Sequence, residues 1–186
     1  MSENIILASA SPRRRELLSM IYSDFKVCVS DVDETVPPEI AVFEAPEYLA
    51  RLKAMDVAKK YSDSLVIGAD TSVFADGKML GKPKNSDEAF NMLSLLSGKV
   101  HRVITGCAVV KGKKVESFSV TTEVEFYKLS DEEIRNYIKS GDPFDKAGGY
   151  GIQTDGVFFV KGIKGDYNNV VGLPVAELAR QIKVKF

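Results

Sequence analysis

Apolar and polar residues alternate with two different periods along the chain, and each change of period marks an element. Short apolar runs predict buried strands over residues 4–8 and 25–29, and a third in "SLVIG" that ends at "ADT". Between the first two, residues 12 to about 21 read as a helix opened by Pro12. Residues 45–61 carry a helical stripe of Leu49, Leu52 and Met55. Asp76-Gly77 predicts a hairpin turn, and Ser86 caps a helix running to about Ser97 that Gly98 stops. Two β-like runs, 101–110 and 114–127, flank "KGKK" and read as an antiparallel pair. Ser130 with Glu133 forms a capping box for a helix ending at Gly141. Beyond the glycine-rich "DPFDKAGGYGIQ" come expected strands at 158–161 and 169–171, then a last helix near Pro174. The order predicts one α/β domain over residues 1–186 with a central mixed, twisted sheet flanked by helices, which could open into two lobes.

Composition narrows the partners. The chain has 186 residues, 45% hydrophobic and 27% charged, enough for one substantial core. A net charge of -1 gives no field for binding nucleic acid or a membrane surface, so an anionic ligand must meet a local cluster. Cys28 and Cys107 lie in apolar β-like runs and read as buried small hydrophobes. His101 is the only histidine, which excludes chemistry needing a pair. The start "MSENIILAS" carries no basic flank before a long apolar run, and no stretch approaches membrane-spanning length, so the cytoplasm is the expected compartment.

The charged residues at element ends carry the candidate chemistry. In "LASASPRRRELL", Ser11 is a good N-cap and Pro12 a good first helical residue. Arg13 and Arg14 stand four residues before Leu17 and Leu18 and head the buried rows, whereas Arg15 is rotated away. Arginines in a first turn oppose the helix dipole at a cost of a few tenths to about 1 kcal/mol each, and a bound polyanion reverses that sign. An ordinary capped surface helix and an anion site both fit this motif. Asp70, expected at the end of a buried strand, could cap a turn or take part in catalysis. Glu34 in "DVDET" fits a solvated loop or a Mg²⁺ site. Lys53, between Leu49 and Val57 on one helix row, and Lys82 in "GKP" fit solvated lysines or phosphate partners. The common GxxxxGK[ST] and GxGxxG nucleotide loops are absent.

The ordered series "SASPRRRELL", "DVDET", "GADT", "LGKP", "VITG", "DKAGGYGIQ" and "NVVGLP" resembles the Maf family of nucleoside triphosphate pyrophosphatases over essentially the whole chain. The resemblance implies an α/β fold with two lobes and a cleft, similar to the inosine triphosphate pyrophosphatases. It implies a cytoplasmic homodimer that cuts nucleoside triphosphates to monophosphate and pyrophosphate with a divalent cation, Mg²⁺ or Mn²⁺. Asp70 matches the family's proton acceptor, and Ser9, Arg13, Arg14, Glu34, Lys53 and Lys82 match polar positions lining the cleft. The dTTP- and UTP-cleaving subgroup resembles this chain at Arg13, Thr71 and Gln153; the 7-methyl-GTP subgroup differs there. An amide at Gln153 offers both a donor and an acceptor to the O4 and N3–H edge of uracil or thymine. Thr154, where many relatives have glycine, and Phe144 depart from the pattern.

The implied reaction is water attack at the α-phosphorus, with Asp70 taking the proton, Glu34 and Asp70 holding the metal, and Ser9, Arg13, Arg14, Lys53 and Lys82 binding phosphates. Modified pyrimidine triphosphates are further expected substrates. Two alternatives stand beside it: a housecleaning pyrophosphatase for modified purine nucleotides, and a nucleotide-binding regulator of cell division whose hydrolysis is incidental.

Overall fold

The computed structural model describes residues 4–186, so the first three residues of the start "MSENIILAS" lie outside the described residues. In chain order the strands are β1 (Ile5–Leu7), β2 (Lys26–Val27), β3 (Leu65–Ala75), β4 (Lys78–Leu80), β5 (Val100–Lys111), β6 (Lys114–Phe126) and β7 (Val160–Lys164). The helices are α1 (Pro12–Ser19), α2 (Ala45–Ala58), α3 (Ser86–Leu96), α4 (Asp131–Lys139), α5 (Tyr167–Val171) and α6 (Val175–Lys185). The strands form one mixed sheet ordered β2-β1-β3-β5-β6-β7, with β4 paired to β3. β1 lies parallel to β2 and β3, while β3–β4 and β6–β7 are antiparallel.

The chain divides into two compact units. The first comprises the residues up to Asp70, Thr105–Val120 and Gly172–Phe186. Its core joins Ile6, Ala8, Ala50, Ala54, Val57, Val66, Ala108 and Val110. Helix α2 approaches the sheet closely because glycines face it. A Cβ at Gly68 would stand 2.4 Å from the Ala50 carbonyl oxygen, and one at Gly106 would stand 2.3 Å from the Glu47 nitrogen. No side chain fits in those gaps. The small residues on both surfaces thus set the height of α2, and with it the height of every polar side chain that α2 carries.

The second unit comprises Thr71–Ile104 and Thr121–Val171. Its core is bulkier, built around Phe126, Leu93, Leu96, Ile134, Tyr150 and Phe159. Phe126 meets His101, Tyr150 and Phe159 edge-on at centroid distances of 4.8, 4.7 and 6.0 Å. Each fully buried side chain of this size contributes roughly 1.5–3 kcal/mol of transfer free energy.

Several expectations change in detail. β3 does not end at "ADT" but continues to Ala75, because Ser72, Val73 and Phe74 keep the β pattern and Val73–Ala75 pair with β4. Helix α3 is capped by Asn85, whose carbonyl oxygen accepts the Glu88 N–H at 2.9 Å, and Ser86 is its first helical residue. Met55 points to solvent, and the buried stripe of α2 is Leu49, Ala50, Ala54 and Val57. The expected strand at 169–171 is part of helix α5. There the buried Asn169 amide donates to the Val103 carbonyl and the Thr122 hydroxyl, both at 3.0 Å, and this anchor overrides the β-preference of the valines. The last strand is displaced to Val160–Lys164 behind a 3₁₀ turn, Asp155–Phe159.

Candidate active site

Strand β3 is buried on both sides along its length except at Asp70 and Thr71, which are half-exposed. Neighbouring residues of a strand face opposite ways, so this strand reaches solvent on both of its sides here. On one side Asp70 Oδ1 receives a hydrogen bond from Lys53 Nζ at 2.8 Å. The same ammonium stands 2.8 Å from Glu34 Oε2, so Lys53 bridges two carboxylates. Its side chain is 13% exposed and that of Asp70 14%, against 57% for Glu34, so the inner pair is sheltered and the outer acid is wet.

Local structure explains the convergence. Gly68, two residues before Asp70 and on the same face of the strand, admits helix α2 and brings Lys53 down to the carboxylate. Asp56, one turn further along α2, accepts the Ser30 hydroxyl at 3.2 Å and the Asp31 N–H at 3.3 Å. This pins the start of the acidic loop to the helix. Asp33 then accepts the Thr35 N–H at 3.0 Å and its hydroxyl at 2.7 Å, turning the chain around Glu34. The Thr35 hydroxyl and N–H together hold the Asp33 carboxyl below its usual range. Sequence reasoning passed over Asp56; its spacing of three from Lys53 was the available signal.

The arginines divide their work. Ser11 caps α1 through the Arg14 N–H at 3.4 Å, as expected. Arg14 Nη1 donates to Ser9 Oγ at 3.2 Å and Nε to the Gly172 carbonyl at 2.9 Å, so part of its fork is committed to the fold. Ser9 Oγ also accepts the Ser11 N–H at 3.2 Å. Burial lowers the Arg14 pKa, with Asp70 and Glu34 among the charges acting against that shift and Arg13 adding to it. Arg13 is half-exposed, and Arg15 is exposed as expected. Ser9, Arg13, Arg14, Glu34, Lys53 and Asp70 all belong to the first unit.

Thr71, Lys82 and Gln153 belong to the second unit. Lys82 and Gln153 are exposed. A polar network beside Gln153 was not anticipated. Lys146, buried, donates to Asp142 Oδ1 at 2.9 Å, to the Asp142 carbonyl at 2.8 Å and to Asp145 Oδ1 at 2.6 Å. The residues were visible in "DPFDKAGGYGIQT", but nothing in their spacing marks the lysine as buried. Elsewhere the cysteines are free thiols, Cys107 buried and Cys28 half-buried; burial pushes the Cys107 thiol up to about 12, which makes it inert.

Among the described residues no helix is long and apolar enough to cross a membrane. The family model described as Maf-like protein matches residues 4–184. A dTTP/UTP pyrophosphatase of Halalkalibacterium halodurans is 51% identical over 180 residues, covering 97% of this chain and 95% of that relative. A dTTP/UTP pyrophosphatase of Bacillus cereus is 50% identical over 179 residues, covering 96% and 94% respectively. Among solved structures, a HAM1 protein from Coxiella burnetii matches with a TM-score of 0.54 at 13% identity, over 98% of this chain and 99% of that one. At that identity the likeness is one of fold.

Proposed function

Since the chain belongs to the Maf-like protein family, we propose that it is a pyrophosphatase that hydrolyses dTTP and UTP to the nucleoside monophosphate and pyrophosphate. The observation that carries this reading is Asp70, half-exposed in an otherwise buried strand and held on Lys53 beside Glu34. The activity named for the two relatives at 51% and 50% identity supplies the substrate class.

Asp70 accepts a proton from the attacking water. The water oxygen bonds to the α-phosphorus, the bond from that phosphorus to the bridging oxygen breaks, and pyrophosphate leaves with the electron pair. Lys53 keeps the carboxylate oriented, and its charge, with those of Arg13, Arg14 and Lys82, offsets the negative charge of the triphosphate. Ser9 holds Arg14 and offers its hydroxyl to a phosphate oxygen. Thr71 and Gln153 of the second unit are specificity residues, the Gln153 amide meeting the O4 and N3–H edge, and Arg13 of the first unit is a third.

The donors present suit a hard divalent cation. Glu34 and Asp70 each place one oxygen on the Lys53 ammonium, so the second oxygen of each carboxylate is the donor available to a cation. Mg²⁺ takes one or two carboxylates and completes its shell with water and substrate phosphates. Glu34 and Asp70 would hold Mg²⁺ or Mn²⁺, which when bound supplies charge neutralisation and a more acidic water. The same reading assigns the protein to the cytoplasm as a homodimer acting through one domain over residues 1–186. It also extends the substrates to modified pyrimidine triphosphates.

The test is pyrophosphate release from dTTP, UTP, their 5-methylated relatives, GTP and ITP with Mg²⁺ or Mn²⁺. Preference for dTTP and UTP supports the reading. Preference for a purine keeps the reaction and overturns the base assignment, and binding of dTTP without turnover favours the regulator.

A further inference from the structure

The turn that carries Gln153 is built unlike an ordinary surface turn. The Thr154 N–H closes on the Gly151 carbonyl at 3.3 Å, with buried Ile152 and exposed Gln153 between them. Thr154 Oγ1 lies 2.6 Å from Asp142 Oδ2, the acceptor of its single proton, and 3.1 Å from the Gly151 carbonyl. The Tyr137 hydroxyl donates to the same Asp142 Oδ2 and accepts the Gly151 N–H at 3.2 Å. Both ends of the turn are therefore tied to one carboxylate, directly through Thr154 and through Tyr137 at Gly151. Lys146 occupies its other oxygen at 2.9 Å.

The packing is as close as the bonding. A Cβ at Gly151 would lie 2.5 Å from both Lys146 Cε and Thr154 Oγ1, and one at Gly156 would lie 2.6 Å from the Gly151 carbonyl oxygen. Burial alone would raise the Asp142 pKa, yet the bonds from Thr154, Tyr137 and Lys146 outweigh it and lower it. The carboxylate is charged, and three of its roughly four acceptor positions are taken by Tyr137, Thr154 and Lys146. The consequence is geometric. A side chain that reads a base edge by hydrogen bonds must be held within about 0.5 Å of its productive position. A glutamine on a free surface turn would first have to be ordered on binding, at a cost in affinity.

We propose that Asp142 and Thr154 are positioning residues for base selection: they fix the Gly151–Thr154 turn and so present Gln153 to the pyrimidine edge. The inference rests on the reading of Gln153 as a base contact. A positioning role acts on binding of the matched base and leaves the reacting atoms untouched.

The experiment compares Thr154→Val, which removes the hydroxyl at nearly constant shape, with Thr154→Ser, which restores it, using UTP and GTP as paired substrates. Thr154→Val is expected to raise the KM for UTP about tenfold, with kcat within about twofold and the GTP parameters unchanged. Thr154→Ser is expected to return the UTP value. Combining Thr154→Val with Gln153→Ala is expected to cost no more than Gln153→Ala alone, because the threonine acts through the glutamine. An unchanged ratio of UTP to GTP efficiency in Thr154→Val, or an equal loss on both, overturns the inference. If the wild-type protein fails to hydrolyse UTP, the functional reading falls and takes this inference with it; an unchanged ratio in an active enzyme removes the inference alone.

Discussion

Two regions of the molecule use the same device, one lysine ammonium between two carboxylates, to different ends. In the first unit Lys53 meets Glu34 and Asp70, both at 2.8 Å; in the second Lys146 meets Asp142 at 2.9 Å and Asp145 at 2.6 Å. The partners of Lys53 come from a loop and a strand far apart in the chain. Those of Lys146 lie within four residues of it. Each pair has one outer acid that is more than half exposed, Glu34 at 57% and Asp145 at 62%, but Asp142 is further tied by two hydroxyls and Lys146 by a backbone carbonyl. The lesson is that an ion pair is available for chemistry when its carboxylates keep acceptor capacity beyond the ammonium. One whose carboxylate is also tied by two hydroxyls fixes the backbone.

Removing the reactive carboxylate draws the sharpest line. Asp70→Asn is expected to reduce dTTP turnover by roughly 10³-fold while nucleotide binding persists, measured by pyrophosphate release and calorimetry. An equal loss from Asp142→Asn would erase the distinction between the regions.

The next effect separates them by pH. His101, in the second unit, is buried, with Nε2 2.8 Å from the Tyr150 hydroxyl and Nδ1 unpartnered among the described residues. Burial pushes its pKa from 6.5 down to about 4. Between those values the unfolded chain takes up the proton first, so stability falls as pH drops from 6.5 to 4 and then levels. The folding constant is expected to lose roughly a hundredfold over that range from this group, read by urea denaturation. His101→Gln is expected to flatten the profile.

Exchanging the two lysines for a neutral side chain tests the comparison itself. Lys53→Met is expected to lower turnover by about fiftyfold and to cost about 1–2 kcal/mol, since sheltered Asp70 loses its cation. Lys146→Met is expected to cost about 2 kcal/mol while leaving kcat within about threefold. Smaller still, Gly68→Ala is expected to cost about 1–2 kcal/mol by lifting α2 from the sheet, with a several-fold loss of activity as Lys53 withdraws from Asp70.

The elements were legible wherever one rule governed them. Ser130 and Glu133 form the capping box they spell, and Gly98 turns at φ 69° after the helix it stops. Lys53 sits between Leu49 and Val57 on the buried side of α2, as its row requires. The rest depended on contacts between distant residues. Asn169 turns two valines into a helix by bonding Val103 and Thr122. Gly68 reads as one more residue of a buried strand until α2 lies against it. Among the site residues, the set proposed to bind the triphosphate follows from the family pattern, but two features are not visible in it. Arg14 spends part of its fork on Gly172, and Lys53 stands between the two expected metal ligands. Both follow from geometry that local spacing does not encode.

The central claim is that Asp70 activates water against the α-phosphorus, and dTTP turnover in ¹⁸O-enriched water tests it most directly. The account predicts one labelled oxygen in the monophosphate, none in the pyrophosphate, and labelled product formed roughly 10³-fold more slowly by Asp70→Asn, which still binds dTTP. Label in the pyrophosphate, or undiminished labelling by the variant, would contradict it.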